Sequence, residues 1–338
     1  MIKVSIIIPI YNVSQYIEEC IDSVLSQDYQ YIQCIIVNDC TLDNSIELIE
    51  NKLSDYLGPI EFKILHQEKN RGAAAARNAG VRAADGDYIY FLDSDDTITP
   101  NCISLLSGLA EKYKGVDIVQ GNIECENPLL NTLFDISKKR FPAYSSEHQW
   151  IKENFLLNIP VSPCNRLIRK QFVEANELWF KEDIVQEDVL WRFFIGKYVK
   201  SVAFNMAYSY YYRDNPVSVT TSDCNNRTKV ISHAIVLKNC LDNIDPDMKY
   251  MQCLCILKDF HWGKTAKILP KNKKMNKRLF SGCVRRAMKS NNVPLVFKPM
   301  FIFLLLPRWI VKNMNFFWLK GLGILYRYAK YKDKTMKN

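Results

Sequence analysis

Three carboxylates fall within four residues at Asp93-Ser94-Asp95-Asp96, directly after the apolar run Tyr88-Ile89-Tyr90-Phe91-Leu92. Asp is a poor strand former, and like charges this close repel, so such a cluster persists where a cation or polar ligand compensates it. A plainer alternative is a solvated acidic turn in which Asp96-Thr97 caps the next helix. Three other apolar runs also end in polar residues. Tyr11-Asn12 follow Val4-Ser5-Ile6-Ile7-Ile8-Pro9, Asn38-Asp39 follow Cys34-Ile35-Ile36-Val37, and Asn70-Arg71-Gly72 follow Phe62-Lys63-Ile64-Leu65. Ligands of open parallel sheets bind beyond the carboxyl ends of the strands, where all four groups would gather. The chemistry suits a nucleoside diphosphate. Tyr11 can stack on a base, Asp39 can accept from a base N–H, and Arg71 can pair with phosphate oxygens. The Asp cluster can hold Mg or Mn, which bridges a diphosphate while keeping waters.

These residues need a scaffold that brings four strand ends to one edge. Ile17, Cys20, Ile21, Val24 and Leu25 repeat at helical spacing, as do Ile46, Ile49 and Leu53, and a third helix is predicted from Ala73 to Ala83, holding Arg77 and Asn78. Three βα units before a fourth strand imply an α/β, doubly wound parallel sheet. No GxGxxG or GxxxxGK[ST] follows any of these strands, which argues against a dinucleotide oxidoreductase and a P-loop enzyme.

A second acidic pair, Glu187-Asp188, directly precedes Val189, Leu190, Trp191, Phe193, Phe194 and Ile195, which have helical spacing. Acids in a first helical turn ordinarily complement the helix dipole. They could also supply a general base that takes the proton of an attacking hydroxyl. Residues 125–150 read as an irregular excursion, and Tyr208-Ser209-Tyr210-Tyr211-Tyr212-Arg213 alternates like an edge strand.

At 338 residues, 48% hydrophobic and 24% charged, the chain has the composition of an ordinary folded protein larger than one core. The net charge of +9 is unevenly placed: residues 271–338 hold 17 Lys and Arg against the single Asp333, leaving 28 basic and 35 acidic residues before them. That tail interleaves cations with Trp309, Phe316, Phe317 and Trp318 after the apolar run 300–306. Basic, aromatic-rich amphipathic segments suit an anionic membrane surface, and the apolar load favours lipid over nucleic acid. The eleven cysteines form no CxxC pair and read as buried thiols. With neither a signal-peptide pattern nor an apolar stretch of about 18 residues, the expected location is cytoplasmic, peripheral on the cytoplasmic face of the membrane.

Taken together, Val4 to Asn12, Val37-Asn38-Asp39-Cys40-Thr41-Leu42-Asp43-Asn44-Ser45, Asn70-Arg71-Gly72 through Ala76-Arg77-Asn78-Ala79-Gly80, and Phe91-Leu92-Asp93-Ser94-Asp95 resemble the ordered motifs of family two glycosyltransferases of the bacterial surface-polysaccharide type. The likeness runs from residue 1 to about 220 and departs at Cys40-Thr41-Leu42, where Gly-Ser-Thr is usual. It implies a GT-A (Rossmann-like), mostly parallel sheet with flanking helices, followed here by a helical basic and apolar C-terminal appendage. The expected division is 1–122 for the nucleotide sugar, 123–222 for the acceptor and catalytic base, and 223–338 for the helical region with its membrane-associating tail.

The resemblance also implies roles. Tyr11 and Asp39 would hold the nucleobase, Asp93 the ribose or base, and Asp95 the metal, Mn or Mg. Pro9, Ser94, Arg71 and Arg77 complete the nucleotide-sugar set, and Arg213 and Ser218 are weaker candidates on a loop that can close over the donor phosphates. Asp188 would be the base, supported by Glu187. The implied reaction is inverting transfer of a hexosyl or N-acetylhexosaminyl group from a nucleotide-diphosphate sugar, UDP-linked by family analogy, to a glycan or lipid-linked saccharide, with no nucleic-acid partner. The competing readings are a haloacid-dehalogenase-type phosphatase using Asp93 and Asp95, since Asp93-Ser94-Asp95-Asp96-Thr97 fits DxDxT, and a non-catalytic sugar-nucleotide-binding protein.

Overall fold

Apolar runs alternating with amphipathic segments fold as their spacing predicts in the first hundred residues. The computed structural model describes residues 1–215, 226–265, 273–303, 305, 321, 323–328 and 331–332. Contacts divide the chain into two units, Met1–Asp183 with Phe194–Thr221, and Ile184–Phe193 with Ser222–Asn338.

The first unit opens with β1 (Val4–Ile10), α1 (Ile17–Leu25), β2 (Ile32–Asn38), α2 (Ser45–Leu53), β3 (Glu61–His66), α3 (Gly72–Ala83) and β4 (Tyr88–Phe91). It continues through β5 (Thr97–Ile98), α4 (Cys102–Lys112), β6 (Ile118–Cys125), α5 (Pro128–Phe134), β7 (Tyr144–Ser145), α6 (His148–Leu157), β8 (Arg166–Arg169) and α7 (Lys170–Ala175). α8 (Glu187–Tyr198) follows, of which only Phe194 onward belongs to this unit, and β9 (Val202–Tyr212) completes a sheet ordered β3-β2-β1-β4-β8-β6-β9-β5, with β7 on β9.

From β3 to β4 the sheet is parallel, with Ile6 opposite Cys34 and Tyr90. Helices cover both faces, so Ile6, Ile7, Ile8, Cys34, Ile35 and Ile36 are all fully buried, each isoleucine contributing roughly 1.5–3 kcal/mol. Beyond β4 the sheet is mixed. β8 pairs antiparallel with both β4 and β6, because a long connection carrying α5 and α6, not one crossover helix, brings it in from the opposite end. The mostly parallel sheet expected from the sequence therefore holds for its first four strands. Two local expectations are corrected: the stretch taken as irregular contains α5, and β9 lies inside the sheet between β6 and β5, not at an edge.

A buried polar hub joins the two halves of this sheet. Asn165, at a left-handed φ of 52° just before β8, accepts from Tyr90 Oη at 3.1 Å. It donates through Nδ2 to the Asn122 carbonyl at 2.8 Å and to Ser209 Oγ at 3.0 Å. A Cβ on Gly121 would lie 2.5 Å from that Nδ2, so the hub needs glycine there.

In the second unit, α9 (Asn226–Asp242) packs on α10 (Lys249–Thr265) and α11 (Lys273–Lys289), and α12 (Lys298–Phe303) packs on α11. Val230, Ala234, Leu237, Leu241 and Ile244 are buried, as their spacing predicts. Segment Ile184–Phe193 is tied to these helices: Val185 N donates to Ser232 Oγ at 3.0 Å, Gln186 Oε1 lies 2.9 Å from His233 Nδ1, and Arg192 pairs with Asp259. Among the described residues no helix is long and apolar enough to cross a membrane. Ten of the eleven cysteines lie among the described residues, all free thiols and all buried except half-buried Cys40.

Candidate functional site

The strand order reverses between β1 and β4, where β2 and β3 lie to one side and β4 to the other. A crevice beyond the carboxyl ends of strands at such a switch point is the usual ligand site of an open α/β sheet. The β1–β4 ladder ends at Ile7 opposite Phe91, while β1 continues to pair with β2 as far as Ile10 and Asn38. Pro9 thus sits where β1 has lost one neighbour, which is how an interior strand tolerates a residue without N–H. Tyr11 follows, 41% exposed at the rim of this crevice.

The loop after β2 is built on hydrogen bonds. Cys40 takes φ 57°, the left-handed conformation that glycine favours, so the Cys40-Thr41-Leu42 departure keeps the turn. Thr41 N donates to Asn38 Oδ1 at 2.9 Å, and Asn12 N donates to Thr41 Oγ1 at 2.8 Å, tying this loop to the one after β1. Burial alone would raise the Asp43 carboxyl, but donors from Ser45, Thr41 and Ser14 hold it at about 2.

Asp39 is 2% exposed and accepts the N–H groups of Arg71 at 2.8 Å and Gly72 at 2.7 Å. α3 has no capping side chain of its own at Arg71, so Asp39 supplies the cap from β2. Burial pushes this carboxyl upward, against those two backbone donors. Each oxygen keeps a further lone pair for a ligand N–H. The Arg71 side chain, about half exposed, pairs with Glu182. Glu182 also accepts from Asn78 Nδ2 at 3.0 Å, and Asn78 exchanges hydrogen bonds with both backbone groups of Phe180 at 2.9 Å. Arg77 is buried under the Phe180 ring and donates to Asp93 Oδ1 at 2.7 Å.

The acidic turn divides its labour. Asp93 and Asp95 are half-buried, whereas Ser94 and Asp96 are buried. Asp95 Oδ2 accepts from Asn215 Nδ2 at 2.9 Å. Burial, then the charge of Asp93, raises the Asp95 carboxyl. Asp96 is 1% exposed; it accepts from Tyr210 Oη at 2.5 Å and from Arg213 N at 2.9 Å. It is therefore neither a solvated cap nor a ligand group but the anchor of the end of β9. Its carboxyl is raised well above the ordinary range, first by burial and then by Asp93 and Asp95.

Pro9, Tyr11, Asp39, Arg71, Arg77, Asp93, Ser94 and Asp95 thus lie on β1, the loops after β1, β2 and β4, and the start of α3. Arg213 reaches the turn through its main chain, while its guanidinium pairs with Glu19 and covers the Tyr16 ring. Ser218 lies outside the described residues. Glu187 and Asp188 form the first turn of α8, and Asp188 Oδ1 accepts the Val189 N–H at 2.9 Å. Sequence reasoning missed Tyr210, Asn215, Glu182 and Asn78. The alternation of 208–212 carried a signal for Tyr210, because one phenol in such a run must face inward.

Among the described residues no group of three or more His, Cys, Asp or Glu could hold a metal ion. A hard divalent ion bound with a diphosphate needs only one or two carboxylates, the remaining positions going to phosphate oxygens and water. Asp93 and Asp95 fit that need: they are hard oxygen donors, and the mutual repulsion that raises Asp95 is what a cation relieves.

The model of glycosyl transferase family 2 matches residues 5–175. The glycosyltransferase GlyG of Streptococcus pneumoniae is 39% identical over 119 residues, 35% of this chain and 38% of that protein. The teichoic acid poly(glycerol phosphate) polymerase of Staphylococcus epidermidis is 29% identical over 63% of this chain and 28% of its own length. The chain thus spans less than half the length of these curated relatives. Among solved structures, S. aureus TarS 1–349 in complex with UDP-GlcNAc superposes with a TM-score of 0.65 at 17% identity, covering 98% of this chain and 92% of that one. The mannosyltransferase PcManGT of Pyrobaculum calidifontis, in complex with GDP-Man and Mn2+, gives 0.51 at 14% identity, covering 98% and 75%. The likeness to TarS is one of fold, and the fold is GT-A. With a family match over half its length, the chain belongs to glycosyl transferase family 2.

Proposed function

We propose that the chain is a metal-dependent inverting glycosyltransferase. It moves a hexosyl or N-acetylhexosaminyl group from a nucleotide-diphosphate sugar, UDP-linked, to a hydroxyl of a glycan or lipid-linked saccharide in cell-surface polysaccharide synthesis. The carrying observation is the gathering of Tyr11, Asp39, Asp93 and Asp95 beyond the ends of β1, β2 and β4 at the point where strand order reverses. Family membership supports the reaction class, and relatives bound to UDP-GlcNAc and to GDP-Man with Mn2+ support the donor class. The teichoic acid polymerase among the relatives supports a surface polymer as product.

Each residue has a part in this reading. Tyr11 stacks on the base and Asp39 accepts its N–H, while Pro9 and Ser94 shape the crevice wall. Asp93 takes the ribose or base, and Arg71 and Arg77 lie on the phosphate side. Asp95 would hold Mn2+ or Mg2+, which offsets the charge of the departing diphosphate. Asp188, supported by Glu187, takes the proton of the acceptor hydroxyl as the new bond forms. Residues 1–122 bind the nucleotide sugar, 123–222 the acceptor, and 223–338 carry the helical region whose basic tail meets the cytoplasmic face of the membrane. Leu295, Val296 and Ile302, exposed beside Lys289 and Lys298, support that last role. The phosphatase alternative wants its DxDxT strand first in the core, whereas β4 follows three βα units.

The test is a thermal-shift screen of UDP-, GDP- and dTDP-sugars with and without Mn2+, followed by transfer assays of Asp188→Asn. A UDP-sugar should raise the melting temperature in an Mn2+-dependent way, and the variant should keep donor binding while losing transfer by ~10² or more. Transfer at the wild-type rate in Asp188→Asn would move the base elsewhere.

A further inference from the structure

The acidic turn contains a carboxylate that no donor or metal role uses. Asp96 is 1% exposed, and its two oxygens serve two different points of one chain segment. Oδ2 accepts from Tyr210 Oη at 2.5 Å inside β9, and Oδ1 accepts from the Arg213 N–H at 2.9 Å just past the end of β9. The same Tyr210 hydroxyl accepts the Asp93 N–H at 3.3 Å. Two residues beyond Arg213, Asn215 donates to Asp95 Oδ2 at 2.9 Å and is 7% exposed. Segments 93–96 and 210–215 are thus stitched together at four points, and the last of them falls on the carboxylate proposed to hold the metal.

We propose that Asp96 is a positioning residue for the donor side of the site: with Tyr210 it fixes segment 213–215 so that Asn215 holds the Asp95 carboxylate in one orientation. The inference rests on the metal-dependent donor reading of Asp95. A carboxylate suits this position because it accepts from both donors at once. An amide at position 96 has one acceptor oxygen: with it on the Arg213 N–H, its NH2 meets the Tyr210 oxygen that already receives the Asp93 N–H, so the short Tyr210 O–H···O bond is lost and two donors compete for one hydroxyl. The Asp95 oxygen that receives Asn215 is then free to turn away, and a metal ligand whose orienting partner is removed typically loses ten- to a hundredfold in affinity.

The wild-type chain, Asp96→Asn, Tyr210→Phe and the double variant are compared by titrating Mn2+ against UDP binding, with uridine binding and thermal unfolding alongside. Uridine lacks the phosphates, so its affinity reports the base and ribose contacts without the metal. Each single variant should raise the Mn2+ concentration for half-maximal UDP binding by about tenfold; Asp96→Asn should leave uridine affinity unchanged, whereas Tyr210→Phe, which also removes the acceptor of the Asp93 N–H, is read on the Mn2+ titration alone. The double variant should show the same ~tenfold and not its square, because both changes undo one tether. Should Asp96→Asn fail to fold, Tyr210→Phe and Asn215→Ala carry the same expectation. Wild-type half-saturation in the variants, or effects that multiply in the double variant, would overturn the inference while leaving the metal reading standing. UDP binding by wild type that ignores Mn2+ and survives Asp95→Ala would overturn the metal reading and this inference with it.

Discussion

Asp39 Oδ2 accepts the N–H of Gly72 at 2.7 Å, so the first residue past the end of β2 also caps α3. Gly72 takes φ 82°, which lets the chain turn that N–H toward β2. Asp39→Ala should therefore lower stability by about 1–2 kcal/mol as well as weaken UDP binding, the usual cost of a lost helix cap. Urea unfolding separates the two effects. Unfolding of the variant at the wild-type urea midpoint would mean that α3 is capped by other groups.

Cys40 holds a left-handed φ of 57° where a side chain is unfavourable. Cys40→Gly should raise stability by up to ~1 kcal/mol, and Cys40→Val should lower it by ~1–2 kcal/mol, because a β-branched residue fits that region worst. Melting temperatures of the two variants should move in opposite directions from wild type.

The Asp43 carboxyl gives a pH signature. It sits at about 2 in the folded chain against 3.8 ordinarily, so its stabilisation is complete above the unfolded value and is lost as pH falls through about 4 to about 2. Wild type should exceed Asp43→Asn by ~1–2 kcal/mol near pH 6, a figure reduced for partial solvent exposure, with the gap closing in that acid window. Denaturant melts of both proteins from pH 6 down to pH 3 measure the gap; one that widens in acid has the wrong sign.

Asp95 illustrates stability given up for binding. Burial and the neighbouring Asp93 both disfavour its charge. Asp95→Asn should melt at or above the wild-type temperature in the absence of ligand, by up to ~1 kcal/mol, yet lose at least ~tenfold in Mn2+-dependent UDP affinity. Thermal shift with and without Mn2+ and UDP reads both quantities in one experiment.

The Arg71–Glu182 pair competes with any anion for the same guanidinium. Glu182→Gln should raise UDP affinity by about two- to fivefold at low salt, the scale of an exposed ion pair, with the gain fading above about 0.5 M salt. Calorimetric titrations at two ionic strengths check this, and an unchanged affinity would place Arg71 away from the phosphates.

The first four strands and three helices were legible because each buried run is bounded by a polar turn and each helix carries a clear apolar stripe, as in Ile17, Cys20, Ile21 and Val24. The strand-end residues were legible for the same reason, since an apolar run that stops at Asp39 or Asp93 sets a carboxylate at the rim of the sheet. Long-range pairing was not legible. Nothing local to Tyr88-Ile89-Tyr90 says that β8, some eighty residues later, will lie beside it antiparallel. The mixed half of the sheet, the interior place of β9 and the helix α5 all follow from such pairings. Asp96 shows the limit most sharply. By composition it belongs to an acidic cluster, and only the arrival of Tyr210 and Arg213 from a distant strand separates it from Asp93 and Asp95.

Nine of the ten described thiols are shut inside the fold, and the tenth, Cys40, stands half open one residue from the nucleobase carboxylate proposed here. With Cys224, which lies outside the described residues, replaced by Ser, a maleimide dye added to the native protein would therefore mark the loop after β2. Quenching or shielding of that fluorophore would follow nucleotide arrival in real time.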